Sequence, residues 1–296
     1  MLYEAAALGA ALCWAVAGLV SASPSRQLGA VAFNRARMAI VFVILSAYAL
    51  LTGGWSSIGG NHIELLVISG FIGIFLGDTA LFLTLNRMGP RRTAILFATN
   101  APMSVVLGWL LLDEALPARA LAGIALVIAG VVLSIVFGKR RSQLHHWENI
   151  SGPVWAGVLL GLVAALSQSV GSIIARPIME SGVDPVAASA LRVGVAAICL
   201  TVLMQLPLHG FRQRGKLTLG LAGWITISGM LGMGLGMTLL LFALRGGEVG
   251  IISTLSATSP ALILPVLWIT TGERPALGAW IGAALVVAGT SLLFMN

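Results

Sequence analysis

Asp78 is the residue in this chain whose type and setting demand a chemical reason. It stands near the middle of the apolar stretch 68–83. At such a depth an ionised acid is costly unless it faces water or a partner, so it marks a substrate or ion path, or an ion pair that fastens two helices. Proton exchange and contact with a substrate ammonium are the active roles open to it. Phe82 follows one helical turn later on the same face. Together with Trp14 and Phe242 it is a candidate wall for an aromatic or aliphatic side-chain pocket, the alternative being ordinary packing. A second polar group, Gln168, Ser169 and Ser172, interrupts another apolar run. Gln168 and Ser172 are four apart and share a face, forming either an interhelical hydrogen-bond contact or a cavity wall. Asn100 and Ser259 stand beside prolines, where freed carbonyls are tolerated at membrane depth if they line a cavity or are capped. Thr79 and Thr238 either add hydroxyls to the site or bond back to their own helices. The candidate substrate site is therefore Asp78, Phe82, Trp14, Thr79, Asn100, Gln168, Ser172, Thr238, Phe242 and Ser259.

Other chemistries find no support. His62, His145, His146 and His209 fall at loops or helix edges, with no Ser/His/Asp grouping and no Gly-rich phosphate loop, so neither catalysis nor a cofactor is expected. Cys13 and Cys199 lie in apolar runs without metal-ligand spacing; neither a metal nor a disulfide is expected. Arg37 and Arg192, about two turns inside their segments, read as side chains that snorkel to an interface rather than as carboxylate receptors. Glu114 and Glu273, beside Pro117 and Pro275, read as loop or cap partners.

The elements that position these residues follow from composition. Hydrophobic residues make up 58% of the 296, charged residues 9%, and mean hydropathy is +1.00, values that no water-soluble domain carries without large exposed apolar patches. The chain reads as an all-α polytopic membrane protein. The net charge of +7 sits at helix ends and reports orientation rather than nucleic-acid binding. The expected partners are a small-molecule substrate and membrane lipid, with a monomer as the working unit. The first apolar run lacks a preceding basic region and is expected to be a retained span.

Breaks at Pro, Gly and charge clusters predict spans at about 4–22, 31–52, 63–86, 92–112 and 118–137, a polar bridge from Gly138 to Gly152, and spans at about 153–175, 186–206, 219–244, 250–271 and 276–295. The halves repeat. Residues 68–135 align with 227–294 at a constant offset of 159, about a third of them identical, including Gly70/Gly229, Gly77/Gly236, Thr79/Thr238 and Gly130/Gly289. Arg37 matches Arg192 at offset 155, while Met237 stands opposite Asp78. The organisation is thus 1–137, a connecting loop 138–152, and 153–296. Five spans per copy force the second copy into the membrane from the opposite face, so the repeats are inverted around a central cavity, an arrangement suited to alternating access. The glycines at three- and four-residue spacing in the third and eighth spans allow close approach and bending. Those of the fifth and tenth read as small-residue seams, which also suit contacts between protomers. Arg26, Arg35, Arg37, Arg87, Arg91, Arg92, Lys139, Arg140, Arg141, Arg212, Arg214, Lys216 and Arg274 collect on one face, against Arg119, Arg176, Arg192 and Arg245 on the other. The first face is then cytoplasmic and both termini are periplasmic.

Several features carry a resemblance: Trp14 and Gly18, Arg37 and Arg192, the segments 98–102 and 257–261, Glu114 and Glu273, and the tails 123–131 and 282–290. On these the chain resembles the drug/metabolite transporter superfamily, EamA type, over nearly its full length, and within it the bacterial exporters of aromatic and other neutral amino acids. The resemblance implies a bacterial inner-membrane secondary transporter, with a cavity lined by spans 1, 3, 4, 6, 8 and 9 and with spans 5 and 10 at the periphery. A proton-coupled exporter of toxic cationic or aromatic compounds is the alternative, with a lipid-modifying membrane enzyme and a channel further off.

Overall fold

The computed structural model describes residues 2–112, 118–137, 150–205, 213–246, 252, 255–272 and 274–294. Among them there is no strand. The helices are α1 (Leu2–Leu28), α2 (Ala30–Leu51), α3 (Gly60–Ser69, Gly70–Leu76 and Gly77–Met88), α4 (Pro90–Phe97 and Asn100–Leu112), α5 (Ala118–Phe137), α6 (Val154–Glu180), α7 (Pro185–Gln205), α8 (Leu219–Gly229, Met230–Met237 and Thr238–Leu244), α9 (Ser259–Thr271) and α10 (Leu277–Phe294). Six of these helical stretches are long and apolar enough to cross a membrane: Leu2–Leu28, Ala30–Leu51, His62–Met88, Val154–Glu180, Pro185–Gln205 and Leu219–Leu244. Large apolar side chains such as Leu51, Leu219 and Ile269 stand exposed on the outside, where lipid replaces water as their natural neighbour. The bridge 138–149, Glu114 and Glu273 lie outside the described residues.

Several boundaries differ from the expected ones for a common reason. The first and sixth spans were expected to stop at about 22 and 175, but α1 runs through Pro24 and α6 through Pro177. Proline removes one N–H, and neighbouring helices make up that loss inside a membrane bundle. The fourth span, expected as one helix, is broken at Ala98-Thr99, and the same turn recurs at Ala257-Thr258 ahead of α9. In each break the threonine hydroxyl donates to the carbonyl three residues back, Thr99 to Leu96 at 2.6 Å and Thr258 to Leu255 at 2.7 Å. The freed carbonyl is thereby satisfied locally.

The middle segments of α3 and α8, Gly70–Leu76 and Met230–Met237, are π-helical. Such wide turns are rare and cluster at functional positions. Their glycines explain where they sit. A Cβ on Gly70 would fall 2.8 Å from Arg192 Cα, and one on Gly73 3.1 Å from Gly171 Cα, so α3 of the first half lies backbone to backbone on α6 and α7 of the second. Gly229 meets Val41 and Arg37 of α2 in the mirrored contact. Hydrogen bonds repeat the pattern: Ser69 donates to Gly171 O at 2.6 Å, and Ser228 shares a 2.5 Å bond with Ser21. Each half therefore wraps the other. The glycine seams of α5 and α10 face one another within the chain, a Cβ on Gly130 falling 2.6 Å from Gly282 O and one on Gly289 2.7 Å from Gly123 O. These glycines thus join the two halves of one molecule, which supersedes the expectation that they suit contacts between protomers.

Gly70→Val is expected to lower stability by about 1–3 kcal/mol through overpacking against the α7 backbone, whereas Gly220→Ala, with nothing near its Cβ, is expected to leave it unchanged. Thermal unfolding of the purified protein in detergent checks both, and equal midpoints for the two variants would contradict the close packing.

Candidate functional site

Between the halves lies a cavity lined by α1 (Trp14, Ala15, Ala17, Gly18, Ser21), α3 (Asp78, Leu81, Phe82, Leu85), α4 (Pro90, Thr93, Ala94, Phe97), α8 (Gly232, Met233, Met237), α9 (Ser259, Ile263), Gln168 of α6 and Arg37 of α2. The helices implied by the resemblance line it, α2 joins them, and α5 and α10 contribute nothing among the described residues. Its volume is about 90 Å³. Small-molecule pockets start near ~300 Å³.

At one side of the cavity Arg37 Nη2 donates to Asp78 Oδ2 at 2.5 Å, with side chains 3% and 6% exposed. The guanidinium also lies over the Phe82 ring, 4.6 Å from its centroid, and Phe82 packs edge-on against Phe33. Arg37 is thus held by charge, by ring face and by α8, whose Gly232 it borders. Snorkelling is overturned for both arginines. Arg37 and Arg192 are 3% and 1% exposed, because the glycines of α8 and α3 admit their side chains into the bundle. Arg91 and Arg92 are buried as well, at 4% and 1%, so these four do not mark a membrane face.

The remaining expected site residues divide. Trp14, Asp78, Phe82, Gln168 and Ser259 come together at the cavity. Trp14 Nε1 donates to Gly232 O in the π turn at 3.0 Å and its ring meets Phe97 edge-on. Ser259 donates to Ala11 O of α1 at 3.1 Å. Gln168 lines the cavity and its Nε2 donates to Ser172 Oγ at 3.3 Å within the same helix, while Ser169 makes an interhelical bond to α4, so the polar stripe is part cavity wall and part helix contact. Thr79 donates to Phe75 O at 2.5 Å. Asn100 bonds Phe97 O and its carbonyl accepts from Ser169, both at 2.7 Å. Phe242 packs tilted against Tyr3, away from the cavity, and the buried Thr238 hydroxyl has no hydrogen-bond partner among the described residues. Neither Thr79, Asn100, Ser172, Thr238 nor Phe242 lines the cavity. Arg37, Met233, Met237, Thr93 and Phe97 do, and sequence reasoning passed over them. For Arg37 a signal existed: a lone buried acid needs a cation, and the arginine pair recurs at matching positions in both halves.

The geometry is that of a small chamber between two interleaved repeats. The EamA-like transporter family model matches residues 1–136 and again 155–295. The chain belongs to the EamA-like transporter family. This EamA-like transporter is a multi-pass membrane protein that moves small molecules, and not an enzyme. A search of the curated proteins finds no match for it. A solved crystal structure of a protein 18% identical in sequence shares its fold, with a TM-score of 0.72 over 98% of this chain and 95% of that one.

Removing one member of the Arg37–Asp78 pair strands the other and is expected to cost about 3–5 kcal/mol. Asp78→Leu, which leaves both buried arginines without an acid, is expected to be worse than Arg37→Met, after which the acid keeps the attraction of Arg192. The double variant recovers most of the loss. Thermal midpoints in detergent read the cycle, and additive single effects would mean the pair is not coupled.

Proposed function

We propose that this transporter exports neutral or aromatic amino acids, or similar small metabolites, across the bacterial inner membrane by alternating access. The observation that carries the reading is the chamber itself. It is walled by Trp14, Phe82, Phe97, Leu81, Met233 and Ile263, bears one ion pair and is bordered by the glycine-rich π segment of α8, whose repeat-related counterpart lies in α3. Apolar walls with a few polar groups are what a small amphiphilic solute needs. Two inverted halves, 1–137 and 153–296 with the connector 138–152 between them, exchange conformations by rocking, and the paired π segments and paired turns at 98–99 and 257–258 supply bending points. The cytoplasmic face is the one rich in Lys and Arg, which leaves both termini periplasmic. The monomer is complete in itself, since both halves of the chamber come from one chain.

The second reading, a proton-coupled exporter of cationic or aromatic toxic compounds, rests on Asp78 at the wall. Arg37 weighs against it, because the acid is already engaged by a fixed cation.

Counterflow in proteoliposomes separates the two. Liposomes preloaded with unlabelled phenylalanine or leucine are expected to accumulate the labelled amino acid in a saturable manner, and lipophilic cations are expected not to compete. Transport of the cations alone would sink the amino-acid reading, and flux that neither saturates nor exchanges would indicate a channel.

A further inference from the structure

The two halves are matched in position but not in charge. Arg37 and Arg192 are equivalent, Asp78 and Met237 are equivalent, and the contacts are equivalent too: Arg37 Nη2 donates to Asp78 Oδ2, whereas Arg192 Nη1 rests on Met237 Sδ at 3.5 Å. A thioether is a weak, uncharged acceptor. Nε and Nη2 of Arg192 have no hydrogen-bond partner among the described residues, nor has Nε of Arg37. Asp78 is the only buried acid among the described residues, and it lies in the field of both guanidinium groups. Two cations therefore share one anion inside an apolar bundle. Arginine does not shed its proton, and an uncompensated charge at such depth is expensive. The missing partner is an anion.

We propose that the substrate supplies it: the transported molecule carries a carboxylate that docks on Arg192 together with Arg37, once Met237 has moved aside. This rests on the reading of the chamber as the transport site. Met237 both lines the chamber and touches Arg192, and its unbranched thioether repacks easily. A guanidinium is the side chain best shaped to hold a carboxylate through two parallel bonds. The aromatic and aliphatic walls hold the rest of the molecule, and once the carboxylate shares Arg37 and Arg192, Asp78 is the acceptor for an ammonium where the substrate has one. A lipophilic cation, by contrast, would enter a cluster that already carries excess positive charge.

The test is equilibrium binding to the full-length protein in lipid nanodiscs, with four probes of one shape: phenylalanine, phenylalanine amide, phenethylamine and 3-phenylpropionate. The two carboxylates are expected to bind, and the amide and amine to bind at least about tenfold more weakly, the scale set by one charge-assisted hydrogen bond. Met237→Asp gives Arg192 the same partner that Arg37 already has. It is expected to keep or raise the thermal midpoint while weakening both carboxylates by at least about tenfold, and Arg192→Gln is expected to weaken them similarly. If Arg192→Gln does not fold, Met237→Asp decides alone. Equal binding of phenylalanine and its amide would overturn the inference and leave the amino-acid reading standing. Binding of 3-phenylpropionate but not phenylalanine, lost in Met237→Asp, would uphold the inference and sink that reading. No carboxylate binding, or undiminished binding in folded Met237→Asp, overturns the inference.

Discussion

A charge inside a helix bundle surrounded by lipid has no water to fall back on, and the centre of this protein is arranged around that constraint. Arg37, Asp78 and Arg192 are all buried, so each has to find compensation within a few ångströms. Arg37 finds it in Asp78 and in the face of Phe82. Because α2 and α3 carry the pair, the ion pair sets how these helices meet in the first half. In the second half α7 and α8 meet through Arg192 and Met237, with the same geometry and no countercharge. A scaffold symmetric in shape thereby encloses a chamber that is asymmetric in electrostatics.

Close backbone approach makes that burial possible. The π turns of α3 and α8 and the glycines at their starts let these helices lie directly on the arginine-bearing helix of the other half. Widened turns leave carbonyls turned out of the regular ladder, and side chains take them up: Trp14 bonds Gly232 O and Thr79 bonds Phe75 O. These bonds are local and separable. Helices held by small-residue contacts and individually capped carbonyls can slide and bend at lower cost than helices interlocked by large side chains. The π segment of α8 borders the chamber directly, through Gly232, Met233 and Met237.

Much of the architecture is legible in the sequence for physical reasons. Membrane spans need long apolar runs, so composition alone exposes them, and the ends of α5 and α8 fall where glycines, prolines and charges predict. The repeat is visible because packing contacts made twice require the same small residues twice, as at Gly70/Gly229 and Gly130/Gly289. Less legible are the places where a local rule gives way to neighbours. Pro24 and Pro177 read as helix ends, yet the bundle carries both helices through them. The turns at Ala98-Thr99 and Ala257-Thr258 read as helix, yet a threonine cap stabilises the break.

For the site, the sequence by itself determined that a lone acid at membrane depth, Asp78, is central, and that Phe82, Trp14, Gln168 and Ser259 are polar or aromatic exceptions in apolar helices. All five meet at the chamber. It equally determined that Met237 breaks the symmetry. Only the tertiary structure decided which cation Asp78 holds, since a long side chain near a span's end reaches an interface or a buried partner with equal ease, and the choice belongs to the glycines of a distant helix. The same holds for Thr79, Asn100, Ser172, Thr238 and Phe242, which stand outside the chamber. Which face of a helix looks inward is set by how the helices pack on one another, and for Thr238 and Phe242 also by the π segment that precedes them, which shifts the register away from ideal helical spacing.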